Sequence, residues 1–129
     1  LMAAVVIFHH GVEPGRGKER HVLKKLVKGL SFLRREMDIS IEQIKDWSDK
    51  FEEVEFGDNN SGDKLIAGIT AYEQQLSKFI DYAKNQVHAH QLRNDVGGRL
   101  IKKLRREGGN MGIVPPEINY VINSLKITL

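Results

Sequence analysis

The sequence predicts an all-α fold, a four- to five-helix bundle built on one long central helix, with a short or irregular N-terminal apolar segment. Three observations carry this. Residues 63–95 hold Leu65, Ile69, Tyr72, Leu76, Phe79, Ile80, Ala83, Val87 and His90 on one face at 100° per residue, a stripe of the width expected of a helix in a bundle or coiled coil. Two shorter segments ahead of it repeat the helical period. No run of strands follows the apolar start to build a sheet.

Taken in order, residues 1–8 are apolar and end β-branched at Val5, Val6 and Ile7, so they suit a short strand or a tethering helix turn. Gly11, Pro14, Gly15 and Gly17 then mark a loop. Over 19–37 the residues Val22, Leu23, Leu26, Val27, Leu30, Leu33 and Met37 share a broad face, with Lys24, Lys25, Lys28 and Arg35 opposite and Phe32 among those bases. Ser40 with Gln43 reads as a capping box. The helix it opens is expected to bury Ile41, Ile44, Trp47, Phe51 and Val54 and to leave Glu42, Asp46, Asp49, Glu52 and Glu53 outside. Residues 57–62 have strong turn chemistry, and Asp63 is a suitable N-cap for the long helix.

Beyond Asp95 the apolar phase slips and Gly97-Gly98 interrupts the pattern, each glycine costing ~1 kcal/mol in a helix interior. A bend or a new helix over 96–107 is expected, ended by Gly108-Gly109. Pro115 and Pro116 open a last helix faced by Ile118, Val121, Ile122 and Leu125. One domain over 1–129 results, made of segment 1–18, hairpin 19–56, long helix 63–107 bent near 97–98, and C-terminal helix 115–127.

The chain has 129 residues, 40% apolar and 29% charged, an ordinary globular balance. It has no cysteine, which excludes disulfides, thiolate metal sites and cysteine nucleophiles. The N-terminal apolar run is too short to span a bilayer and lacks a signal-peptide pattern, so no membrane association and a cytoplasmic or otherwise intracellular location are expected. Leu1 ahead of Met2 suggests a piece of a longer chain. Net charge is only +3, but it is segregated. Residues 16–35 hold eight Lys/Arg and one acid, 36–63 ten acids and two lysines, and 96–107 five bases and one acid. Adjacent blocks of opposite sign can neutralise each other within the fold.

No motif specifies a chemistry. Gly11 to Lys18, after an apolar run and before a helix, has the order of a phosphate-binding loop, but its spacing is one residue too long and Glu19 replaces the Ser/Thr that would hold magnesium. A weaker expectation is an anion held by Arg16, Lys18 and Arg20. His9-His10 and the pair His88 and His90 lack the i, i+4 spacing of a helical zinc pair. Residues 58–63 have calcium-loop composition, with the glycine misplaced and no glutamate at the twelfth position. Glu52, Glu53 and Glu55 read as a solvated helix face. No catalytic residue, cofactor, metal or small-molecule substrate is assigned.

What remains is partner binding. Lys25, Lys28, Phe32 and Arg35 form a cationic patch with an aromatic inside it, suited to an acidic protein with an apolar anchor or to nucleic acid. Arg99, Lys102, Lys103, Arg105 and Arg106 form a second patch, expected near a helix C-terminus where cations are favoured anyway. The leading expectation is a non-enzymatic protein–protein interaction or assembly module, self-associating as a homodimer through the long helix, whose stripe exceeds what the shorter helices cover. The alternative is a nucleic-acid-binding bundle using 16–35 and 99–106, for which no helix–turn–helix spacing, RNA-binding signature or zinc finger speaks.

Overall fold

The computed structural model describes residues 1–11, 18–57, 61–92 and 97–125. Six helices and no strand occur among them: α1 (Met2–His9), α2 (Lys18–Glu36), α3 (Ile41–Phe56), α4 (Ser61–Leu92), α5 (Gly98–Asn110) and α6 (Pro115–Ser124). The fold is all-α and bundle-like, with one long helix, as the periodicity requires. The N-terminal apolar run is a helix rather than a strand, which raises the expected four to five helices to six. No described helix is long and apolar enough to cross a membrane.

The chain packs as two compact units, Leu1–Ala71 and Tyr72–Leu129. In the first, α1 lies against both α2 and α3. Its core joins Ala4, Val5 and Phe8 of α1 to Leu23 and Val27 of α2, Ile44 of α3, and Leu65 and Ile69 of α4. In the second, Tyr72, Leu76, Phe79, Ala83 and Val87 of α4 meet Leu100, Ile101 and Leu104 of α5, Ile113, and Ile118, Val121 and Ile122 of α6. The stripe read on α4 is therefore covered along its length by the chain's own helices.

Helix ends follow local chemistry. Ser40 Oγ accepts from Gln43 N at 3.1 Å and the Gln43 side chain accepts from Ser40 N, the expected capping box. Gly57, at φ 82°, supplies the left-handed residue that closes α3. α4 starts at Ser61, two residues before the expected cap, leaving Asp63 in its first turn, where a carboxylate is still favoured.

α5 does not end at Gly108-Gly109. It runs on to Asn110 and closes with Gly112 left-handed at φ 80°, Ile113 N donating to Gly108 O at 2.9 Å and Gly112 N to Gly109 O at 3.0 Å. That pair of bonds is the Schellman arrangement, and the buried Ile113 is its apolar contact. Gly108 is small for a tertiary reason: a Cβ there would lie 2.8 Å from the Ile118 side chain and 3.1 Å from Phe79.

α3 is rotated by about one residue from the expected face. Trp47 is 43% and Val54 83% exposed, while Ser48 and Glu52, expected outside or off the stripe, are wholly buried. The reason is polar. Glu52 Oε1 accepts from Ser61 N at 2.8 Å at the start of α4, Oε2 accepts from Ser61 Oγ, and His9 Nδ1 of α1 lies 2.7 Å from Oε2. A carboxylate on a helix N-terminus meets both unpaired amides and a favourable dipole. Phe56 stacks on the His9 ring at 3.9 Å. The expectation that Glu52 belongs to a solvated acidic face is thus overturned. Glu53 and Glu55 are exposed.

Candidate nucleic-acid interface

Each candidate side chain is set by the phase of its helix. On α5 the residues Leu100, Ile101, Leu104 and Gly108 turn inward. The period of 3.6 then puts Arg99, Lys102, Lys103, Arg105 and Arg106 on the opposite face. Arg99, Lys102, Arg105 and Arg106 are exposed and Lys103 is half-buried. Lys103 Nζ donates to Gln86 Oε1 of α4 at 2.9 Å, and Arg106 Nε lies 3.6 Å from Glu107 Oε1. Among the described residues Arg99, Lys102 and Arg105 have no ion-pair partner.

This patch does not sit at a helix C-terminus, as the sequence suggested. The extension of α5 to Asn110 leaves no basic residue in its last turn and puts Arg99 in its first. There the helix dipole opposes a cation. Like charges at i, i+3 and i, i+4, such as Arg99 with Lys102 and Lys103, add further repulsion of a few tenths of a kcal/mol each.

α6 follows after four residues, 111–114. Pro115 and Pro116 occupy its first positions, where a missing amide costs nothing. Ile118, Val121, Ile122 and Glu117 are buried; Pro116, Asn119, Tyr120 and Asn123 are exposed and share the outer face. Glu117, the only acid of α6, is turned inward, where its Oε1 accepts from Tyr72 Oη at 3.0 Å. The same Tyr72 oxygen accepts from Val114 N at 3.4 Å, so one phenol ties α4 to the turn and to the start of α6.

The α2 patch is less open. Lys25 is exposed, Lys28 and Phe32 are half-buried, and Arg35 folds back on its own helix, its Nε donating to Ser31 O at 3.1 Å and its Nη2 to Ser31 Oγ at 3.1 Å. Partial burial, aided by the neighbouring Lys24, holds the Lys28 ammonium below the ordinary lysine range. Arg16, with the loop over 12–17, lies outside the described residues, as do the side chains of Lys18 and Glu19 and the calcium-like segment 58–60. The anion expectation for Arg16, Lys18 and Arg20 thus falls largely outside them. No group of three or more His, Asp or Glu side chains is arranged to hold a metal ion among the described residues.

Two features were missed at the level of sequence. Glu52 stands four residues after Ser48 and eight after Ile44, in phase with both, but phase alone does not select a carboxylate over the nearby Phe51 and Val54 for the buried face. Asn119, Tyr120 and Asn123 carried no signal until the length of the turn before α6 was known. Comparison of the chain with known protein families, with curated proteins and with solved structures returned no match.

Proposed function

We propose that the chain is a non-enzymatic nucleic-acid-binding protein whose second unit grips the phosphate backbone through the outer face of α5. One observation carries this reading: four exposed cations, Arg99, Lys102, Arg105 and Arg106, lie on the outer side of a thirteen-residue helix, and three of them lack a countercharge among the described residues. The arrangement costs the isolated fold a little through repulsion and dipole, and phosphates would supply the missing charge.

The test is retention of the full chain on heparin and DNA resins at low salt, followed by titration of a DNA duplex over a range of salt. Affinity is expected to fall steeply with salt. Arg99→Gln with Lys102→Gln and Arg105→Gln should make the logarithmic salt slope shallower by about 0.9 for each duplex phosphate that is no longer neutralised. Absence of retention, or a slope that the triple substitution leaves unchanged, overturns the reading.

A second reading is favoured by the first unit, whose outer surface is apolar as well as charged. Val22 and Leu33 of α2, Met37 just past its end, and Trp47 and Val54 of α3 are 43–83% exposed. α2 is basic and α3 acidic, so two copies could pair α2 of one against α3 of the other with both apolar and ionic complementarity. Self-association would then use these helices rather than the α4 stripe, which the chain's own cores bury. Light scattering tests this: a dimer that Leu33→Glu with Met37→Glu converts to monomer supports it, and a stable monomer at high concentration removes it.

A further inference from the structure

We infer that α5, the turn 111–114 and α6 form a helix–turn–helix that reads double-stranded DNA, with α6 entering the major groove and Asn119, Tyr120 and Asn123 meeting base edges. The inference rests on the phosphate-binding reading of α5 and goes beyond it by naming the nucleic acid, the groove and the reading residues.

The geometry is the first argument. A turn of three to four residues that contains a glycine is the connection used between the two helices of the motif that places its second helix in a groove. Here the turn has four residues, Gly112 in it is left-handed at φ 80°, and Ile113 is buried in the core that α5 and α6 share. Gly108 lets Ile118 approach so closely that any side chain there would collide. The hydrogen bonds of Tyr72 to Glu117 and from Val114 fix where α6 begins. At ~1.5 Å per residue, the ten residues of α6 span about 15 Å, and a bare helix face fits a groove about 12 Å wide.

The chemistry of the outer face is the second argument. Pro116, Asn119, Tyr120 and Asn123 carry no charge, and the single acid of α6 is turned inward. Such a face can lie between phosphate strands without repulsion. Asparagine carboxamides pair bidentately with adenine N6 and N7, and a tyrosine ring can lie against a thymine methyl. Tyr120, 62% exposed, is the one large apolar side chain of this unit that reaches solvent among the described residues.

The division of labour is the third argument. Phosphate contacts position a protein on the duplex and base contacts specify the sequence. In the docking geometry of this motif the first helix crosses the backbone while the second reads bases. The cations are on α5 and the uncharged hydrogen-bonding side chains on α6, which is the required order. Duplex RNA is disfavoured because its major groove is too narrow to admit side chains.

The experiment uses the full chain and a pool of DNA duplexes with a randomised central segment, selected by binding and sequenced, followed by titration of the selected duplex, an unselected duplex and duplex RNA of the selected sequence. Enrichment of a short sequence is expected. Asn119→Ala and Asn123→Ala should each weaken binding to the selected duplex by roughly 5- to 150-fold while changing binding to the unselected duplex and the salt slope by less than about twofold. Both residues are exposed, and circular dichroism with thermal melting verifies that the variants fold. Salt-dependent binding without enrichment overturns reading by α6 and leaves the role of α5 standing. Equal losses on selected and unselected duplexes, or tighter binding to RNA, likewise overturn it. Failure to bind any polyanion removes both readings together.

Discussion

In Leu1–Ala71 the large apolar side chains of Val22, Leu33, Met37, Trp47, Val54 and Phe56 reach solvent; in Tyr72–Leu129 only Tyr120 does so among the described residues, and the outward face of α5 is cationic. The interiors differ as well. The first unit buries a carboxylate, Glu52, between α1, α3 and the start of α4. The second has an apolar core closed by a glycine, Gly108, with the Tyr72–Glu117 hydrogen bond at its turn. In the first unit directional polar bonds tie three helix ends beside an apolar core, and further apolar side chains stay outside. Apolar packing consumes the hydrophobic side chains of the second unit and leaves its exterior to charge. The contrast teaches that two helical units of similar size can present surfaces suited to different partners.

Substitutions in each unit, with stability read from urea unfolding, test this difference. The largest effect is expected at the apolar core of the second unit: Phe79→Ala removes a side chain with no exposure and should cost about 3–5 kcal/mol. Next is the buried carboxylate of the first. Glu52→Ala removes the acceptor that the Ser61 amide and hydroxyl and the His9 ring share, and a loss of about 2–4 kcal/mol is expected; a change under about 0.5 kcal/mol would show that apolar packing alone orients α3.

Two glycines give the smaller and more discriminating pair. Gly108→Ala forces a methyl into Ile118 and Phe79 and should destabilise by about 1–3 kcal/mol. Gly29→Ala, in the middle of α2 with nothing within 4 Å of the added methyl, should stabilise by about 0.5–1 kcal/mol from helix propensity alone. If both changes had the same sign, close packing at Gly108 would not be what distinguishes the second unit.

Much of the fold was legible because helical periodicity is a local property. The α4 stripe, the capping box at Ser40 and the proline start of α6 all act over one or two turns. Misplaced boundaries trace to side chains distant in sequence. Gly108-Gly109 reads as a helix stop when only local propensity is considered, at ~1 kcal/mol per glycine. The packing of α5 on α4 and α6 outweighs that cost, and the stop moves to Gly112. That shift shortens the connection before α6 from the expected seven residues to four. It also moves the α5 cations away from the helix end that would have explained them.

The candidate partner-binding residues were partly visible for the same reason. The clustering of Arg99, Lys102, Lys103 and Arg106 is written in the spacing. Their placement on one solvent face, and the commitment of Arg35 to Ser31, depend on which side of each helix is buried. Helical class, helix phase and the segregation of charge follow from residue type and short-range spacing, and all three could be read from the chain alone. The burial of Glu52, the cover of the α4 stripe by the chain's own helices, and the grouping of Asn119, Tyr120 and Asn123 behind a four-residue turn arise in the packed fold. Those outcomes require burial and hydrogen bonding between residues far apart in the chain, and no local pattern encodes them.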